Sequence, residues 1–298
     1  MGDDESVVSE GFLEGNTLED VLETYLGDLV GDGVYDRYRN QFPLLIKLLD
    51  INDRLSVQVH PDDTVASQRY DSYGKKECWY VLEADPDAVI WLGFKKDVTA
   101  AELYQACKEG TADRLLNEFH PKKGECYLIN PGTVHAAGGG LVIAEVQQSS
   151  DVTLRLYDWG RENNPATARE MNLEEALDII DFHALDAEGC IVRKPESGKA
   201  IFDTDRFTLT KIDLAKPYQV KPEQSDSFVI YICTEGSVEV QLPQADGHNQ
   251  AYKLVKGQLI LIPAATEECI LVPSSSEASV LETYVKVEEN EKDDYING

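Results

Sequence analysis

Lys123-Gly-Glu-Cys-Tyr-Leu-Ile-Asn-Pro131 and Lys256-Gly-Gln-Leu-Ile-Leu-Ile-Pro263 follow one pattern: a Lys-Gly turn, a short apolar strand and a proline exit. Glycine supplies the turn, aromatic and branched residues suit the strand, and proline ends the ladder by removing a donor. Its return in the second half of the chain points to an internal duplication. Around the second copy, strands are predicted over 199–213, 227–233, 236–242, 251–262, 268–272 and 278–287, with Thr-Glu-Gly and Lys-Gly-Gln turns between them. Around the first they are predicted over 43–50, 54–60, 77–83, 88–93, 124–130, 140–148 and 152–158. Many short strands with regular turn signals build a sandwich or a barrel. The expected fold is mainly β, a duplicated barrel.

Helical patterns are few. Thr17-Leu-Glu-Asp20 is a capping box, followed by a stripe of Leu18, Val21, Leu22, Tyr25, Leu26 and Leu29 that Gly31-Asp-Gly33 is expected to stop. Thr99-Ala-Ala-Glu102 starts a second capped helix, expected to continue in pieces to about 119. A third, near 172–181, carries Leu173, Ala176, Leu177 and Ile180 on one side. The resulting division is an N-terminal helical segment (1–41), a first barrel (42–160) with a helical insert near 97–119, a helical linker (161–197), a second barrel (198–287) and an acidic tail (288–298).

In Leu55-Ser-Val-Gln-Val-His-Pro-Asp-Asp63, Leu55, Val57 and Val59 alternate with Ser56, Gln58 and His60. Period-two alternation makes a strand with one apolar and one polar face, so Gln58 and His60 aim together into whatever the barrel encloses. A Gln-x-His pair alone is ordinary polar patterning, and the sharp Pro-Asp-Asp exit sets this one apart. Pro131-Gly-Thr-Val-His135 delivers a second histidine from a turn. Glu77, in Lys75-Lys-Glu-Cys-Trp-Tyr80, shares a strand face with Lys75 and Trp79, a mixture unsuited to packing alone. Nitrogen and oxygen donors from these four places suit zinc or another divalent ion, with a position left for substrate. In the second copy Pro263-Ala-Ala-Thr-Glu267 puts Glu267 where His135 stands, and no Gln-x-His precedes it. The second barrel is therefore expected to be metal-free. Arg155 alternates with apolar neighbours in Val152-Thr-Leu-Arg-Leu-Tyr157, a pattern equally suited to a surface strand. Lys47 interrupts the apolar run Leu44-Leu-Ile-Lys-Leu-Leu49, where an ammonium must be paired or border a cavity. His120, His183 and His248 lack supporting patterns and are read as solvent-facing.

The 298 residues carry 55 acidic against 27 basic side chains, a net charge of −28, which disfavours nucleic acid and anionic membranes as partners. An anionic substrate would need a local cluster of Lys and Arg. Six scattered cysteines without a CxxC pair read as small core residues. The acidic start lacks a signal-peptide pattern and no apolar run approaches a membrane span, so the cytoplasm is the expected compartment.

Phe42-Pro-Leu-Leu-Ile-Lys-Leu-Leu-Asp50 followed by Leu55-Ser-Val-Gln-Val-His-Pro-Asp-Asp63 resembles the signature of the type I mannose-6-phosphate isomerases. Lys76-Glu-Cys-Trp-Tyr80, Pro131-Gly-Thr-Val-His-Ala136 and Gln147-Gln-Ser-Ser-Asp-Val-Thr-Leu-Arg-Leu-Tyr-Asp-Trp159 resemble the family's short bacterial branch, and the likeness runs from about residue 5 to residue 287. It implies two cupin (jelly-roll) barrels with helices inserted around the first. The implied activity is a zinc-dependent aldose–ketose isomerisation of mannose 6-phosphate to fructose 6-phosphate through a cis-enediol. The implied ligands of one zinc ion per chain are Gln58, His60, Glu77 and His135. Arg155 matches the active-site arginine, and Ser56, Lys75, Glu145 and Asp151 match residues lining the substrate pocket. Either Glu145 or Lys75 would shuttle the proton, and Lys47 or Lys75 would offset the acidic surface for the phosphate. The expected partner is a small phosphorylated sugar, with neither nucleic acid nor membrane, in a monomer or homodimer. The resemblance also implies upstream strands before Glu5; without them a sheet edge would be left open. The alternative is a non-catalytic cupin that binds a sugar or sugar phosphate; iron-dependent oxygen chemistry is a third reading.

Overall fold

Thr17 and Asp20 cap the first helix reciprocally, each side chain accepting the other's backbone N–H, and start α1 (Leu18–Tyr25). The chain breaks at Leu26, resumes as α2 (Gly27–Val30) and again as α3 (Asp32–Tyr38). Gly31 ends α2 as its C-cap, as expected, and the same Gly31-Asp-Gly33 stretch also begins α3. The cap comes from far along the sequence: the Asp226 carboxylate accepts the N–H groups of Asp32 and Gly33 at 3.0 and 3.2 Å. The computed structural model describes residues 6–222, 225–243 and 249–286; the expectations for His248 and for the tail at 288–298 fall outside them.

The chain divides into two compact units, residues 44–194 and residues 2–43 with 195–298. The segment set apart in the sequence as N-terminal therefore belongs to the unit that holds the second set of strands. Phe42 and Phe228 pack within it, ring centroids 4.6 Å apart and planes tilted by 44°.

The first unit contains β1 (Leu44–Ile51), β2 (Val57–Val59), α4 (Asp63–Tyr70), β3 (Glu77–Ala84), β4 (Val89–Phe94), α5 (Ala100–Glu109), β5 (Leu116–Phe119), β6 (Cys126–Ile129), β7 (His135–Gly138), β8 (Leu141–Gln148), β9 (Leu154–Tyr157), α6 (Leu173–Ala176) and β10 (Ile191–Val192). One antiparallel sheet has the order β1-β8-β3-β6-β10, the other β5-β4-β7-β2-β9. Between them Trp79, Val81, Ile90, Leu92, Tyr127, Ile129 and Ile143 form an interior core.

β2 turns its apolar side the other way. Val57 and Val59 pack on the outer face of their sheet with Trp91, Leu103 of α5, and Leu173 and Ala176 of α6. Helices covering the outside bury the greasy face there, and the polar face is left for the interior. Three sequence expectations change here. The strand expected over 54–60 is ladder-bonded only from Val57 to Val59. The helix expected to continue in pieces to about 119 runs to Glu109 with a 3-10 turn at Ala112–Leu115 after it, and Leu116–Phe119 is a strand. α4 was not expected, although Asp62 caps it by accepting the Val65 N–H at 2.8 Å.

The second unit is built from β11 (Ala200–Asp203), β12 (Thr208–Asp213), β13 (Tyr218–Val220), β14 (Val229–Glu235), β15 (Ser237–Pro243), β16 (Asn249–Val255), β17 (Leu259–Ile262), β18 (Cys269–Pro273) and β19 (Ser279–Tyr284). Its sheets run β11-β12-β19-β14-β17 and β13-β18-β15-β16. Four strands of each sheet repeat the order of the first unit, with β12, β19, β14 and β17 in the places of β1, β8, β3 and β6, and β13, β18, β15 and β16 in those of β2, β7, β4 and β5. The duplicated Lys-Gly turns agree: Gly124 and Gly257 have φ of +89° and +85°, which favours glycine. All six cysteines are buried and free. Among the described residues no helix is long and apolar enough to cross a membrane.

Candidate metal centre

His60 leaves β2 and His135 opens β7, and the Pro131-Gly132 turn ties the two together. Gly132 donates its N–H to the His60 carbonyl at 2.9 Å and accepts from the Asp181 N–H at 3.0 Å. Its φ is +81°, and a Cβ there would stand 3.0 Å from the Ile179 carbonyl oxygen, so glycine fits this close approach. In the ladder Gln58 stands opposite His135 on one side and Arg155 on the other. Glu77 opens β3, across from Ile129 and Gln147.

The inward side chains converge. Glu77 Oε1 lies 3.2 Å from His135 Nε2, and Glu77 Oε2 lies 3.6 Å from His60 Nε2. Donor atoms of His60, Glu77 and His135 all lie within 4.8 Å of one another, and all three residues are buried. Each histidine is oriented from behind: His60 Nδ1 meets the Val152 carbonyl at 2.9 Å and His135 Nδ1 the Thr133 carbonyl at 3.0 Å. A carbonyl only accepts, so each Nδ1 carries the proton and each Nε2 offers a lone pair toward Glu77. Burial, then the charge of Lys75, holds the His60 pKa well below its ordinary value, keeping the ring neutral.

These residues fit a divalent ion. Both Glu77 carboxylate oxygens are buried without a hydrogen bond, facing two imidazole lone pairs. Lone pair against lone pair is repulsive unless a cation lies close by: the Lys75 ammonium serves Oε2 and His60, and the Oε1–His135 pair at 3.2 Å calls for a second one. Zinc ligands at about 2.0–2.1 Å stand about 3.3 Å apart; the shortest contacts here, to different Glu77 oxygens, are 3.2 and 3.6 Å, and one donor atom from each residue fits within 4.8 Å.

Gln58 borders the cluster, its Nε2 3.2 Å from His135 Nε2 and its Oε1 accepting from Ser56 Oγ at 3.3 Å. Turning the amide over would exchange its oxygen and nitrogen, and the Ser56 hydroxyl can serve either as donor or acceptor. Lys75 Nζ lies 3.3 Å from both His60 Nε2 and Glu77 Oε2, almost wholly buried. Burial opposes the Glu77 charge, but the Lys75 ammonium beside it is the foremost influence holding its pKa well below the ordinary range.

Beside the cluster, Trp79 Nε1–H donates to Glu145 Oε1 at 2.9 Å, and Lys47 Nζ lies 3.3 Å from Glu145 Oε2. Burial, then the negative Glu77, raises the Glu145 pKa, with Lys75, Lys47 and the Trp79 bond pulling the other way. The local cations that a chain of this acidity would need are thus present at Lys47 and Lys75. Arg155 is partly buried, its Nε without a hydrogen bond. Asn172 grips its backbone, donating to the Arg155 carbonyl at 2.8 Å and accepting its N–H at 3.2 Å. Asp151 is exposed on the loop between β8 and β9. His120 and His183 have largely exposed side chains. Trp79 and Gln147 entered the sequence reading without roles; their signal was period two, which places Gln147 on the face of Glu145.

By sheet position the duplication is more exact than the turn suggested. His135 opens β7 beside Gln58, and Cys269 opens β18 beside Val220. Cys269, and not the exposed Glu267, therefore occupies the place of His135 in the second unit. Glu77 faces the last residue of β6, Ile129, and its counterpart Val229 faces the last residue of β17, Ile262.

Residues 2–92 match the family model for the phosphomannose isomerase type I catalytic domain. A mannose-6-phosphate isomerase from Streptococcus mutans is 32% identical over 260 residues, 87% of this chain and 78% of that protein. The crystal structure of the mannose 6-phosphate isomerase from Bacillus subtilis is similar with a TM-score of 0.75 at 25% identity, covering 94% of this chain and 85% of that one. A variant of the phosphomannose isomerase from Salmonella typhimurium, at 17% identity, shares the fold with a TM-score of 0.77 over 96% of this chain and 89% of its own.

Proposed function

The chain belongs to the type I mannose-6-phosphate isomerase family, and we propose that it converts mannose 6-phosphate to fructose 6-phosphate at a zinc ion held by Gln58, His60, Glu77 and His135. The observation that carries this is the pair of unbonded Glu77 oxygens facing two histidine lone pairs. Gln58 joins as the fourth donor with its amide oxygen turned inward and its NH2 on Ser56. Bound there, the ion supplies Lewis-acid polarisation at a sugar oxygen.

The rest falls to the chain's own side chains. Moving a proton between C1 and C2 through a cis-enediol needs a base whose pKa lies near the working pH. Glu145 is that group: its pKa is raised, and Oε2 faces the side from which Lys47 reaches it. Lys75 is tied to Glu77 and His60 and serves to balance the cluster's charge. Arg155, in register with Gln58, steadies negative charge developing on the enediol oxygens. Ser56 orients Gln58, and Lys47 and Asp151 contact the phosphorylated sugar.

A coupled assay following fructose 6-phosphate, with chelator and after zinc return, tests the reading. Turnover lost to chelator and restored by zinc supports it. Full activity in a metal-stripped chain would sink the metal assignment, and sugar-phosphate binding without turnover would favour a binding module.

A further inference from the structure

Gln147 is fully buried on β8, directly across from Glu77, and the proposed site gives it no role. Its amide group can lie only one way. Nε2 donates both hydrogens to backbone carbonyls, those of Gln148 and Ser150, each at 2.8 Å. Two acceptors require the NH2, so Oε1 is left facing the other way. There it accepts from Lys47 Nζ at 2.7 Å. The ammonium is thus shared between Gln147 Oε1 and Glu145 Oε2, at the inner face of β1 and partly open to solvent.

We propose that Gln147 is a positioning residue that aims the Lys47 ammonium at the phosphorylated sugar, a role that rests on the site proposed above. A lysine carries three donors on a flexible stem and does not hold one direction without partners. Glu145 alone would draw Lys47 into a simple ion pair and leave both groups less available. Gln147 supplies a neutral second acceptor, which fixes direction without adding negative charge against an anionic substrate. The same side chain pins the loop after β8, since the Ser150 and Gln148 carbonyls it grips precede Val152, whose carbonyl orients His60.

The test is a double-mutant cycle read by calorimetric titration with fructose 6-phosphate, alongside metal content and steady-state kinetics. Gln147→Met keeps volume and removes the acceptor together with both loop donors, a loss common to both backgrounds that the Lys47→Ala background reads on its own. It is expected to weaken binding about tenfold, the size of a lost hydrogen bond to a charged group, and to raise KM more than it lowers kcat, with metal content unchanged. In a Lys47→Ala background the same change should alter Kd by less than about twofold, because its target is gone. A full tenfold effect persisting without Lys47, or no effect with it, overturns the proposal. A crystal structure of the unaltered chain with fructose 6-phosphate decides without any variant. Lys47 Nζ still on Gln147 Oε1 and touching the ligand supports the role, and an ammonium swung away from Gln147 refutes it. If the unaltered chain neither binds nor converts the sugar phosphate, the isomerase site itself has failed, and this role falls with it.

Discussion

The first and second units carry one strand plan with two interiors. At the positions of Gln58, Glu77 and His135 the second unit has Val220, Val229 and Cys269, all buried. One feature survives in both. Trp79 donates to Glu145, directly opposite it, and Tyr231 donates to Glu282, directly opposite it, at 2.6 Å. What differs is the next strand: Lys47 stands opposite Glu145, and Thr210 opposite Glu282. The plan therefore tolerates an acid beside an aromatic donor in either unit, buried at Glu145 and partly buried at Glu282, and only the first sets it beside a lysine and a His–Glu–His cluster.

Paired substitutions sharpen that contrast. His135→Ala should abolish bound metal by elemental analysis and cut turnover roughly 10³-fold or more, since a Lewis acid contributes several kcal/mol. Its counterpart Cys269→Ala should leave metal and activity alone and cost about 1 kcal/mol of stability from lost packing. If both variants lose metal, the division of labour between the units is wrong. Arg155→Ala should keep the metal and lose about 10²-fold in kcat; equal loss of metal would make Arg155 structural. Trp79→Phe removes a bond that lowers the Glu145 pKa, so the acidic limb of the kcat/KM–pH profile should move to higher pH. Tyr231→Phe should leave that profile in place while lowering unfolding free energy by about 1–2 kcal/mol.

The smallest effect belongs to Glu282. Burial raises its pKa against the opposing Tyr231 bond, so the folded chain holds this proton more tightly than the unfolded chain does. Its contribution is then fully present below the unfolded value, near 4.3, and is lost as pH rises toward the raised folded value. Glu282→Gln should melt a few degrees higher than the unaltered chain at neutral pH and coincide with it at pH about 4. A variant that melts lower at neutral pH would show the carboxylate to be stabilising.

Much of this was legible in the residues. The Lys-Gly repeat gave the duplication because turns and strand exits are local chemistry. Period two placed Gln58 and His60 on one face, and Glu77 with Lys75 and Trp79 on another. The alternation also predicted that Gln58 and His60 aim inward; less legible was what covers the apolar face, since α5 and α6 meet Val57 and Val59 only through the fold. Glu267 misled because the turn before β18 has a different length, and only the ladder brings Cys269 to the matching place. Gln147 carried no local signal beyond its spacing, because its partners Lys47 and Ser150 meet it through the fold.

The outward burial of Val57 and Val59 has a consequence for how such a chamber can change. β2 is held by its back against the helical layer, so its grip on the sheet does not depend on what its inward side chains touch. Polar residues can be exchanged on that inner surface, or traded for other chemistry, while the strand keeps its footing. Loosening α5 or α6 should do the reverse, blurring the alignment of His60 and Gln58 from a distance without touching either.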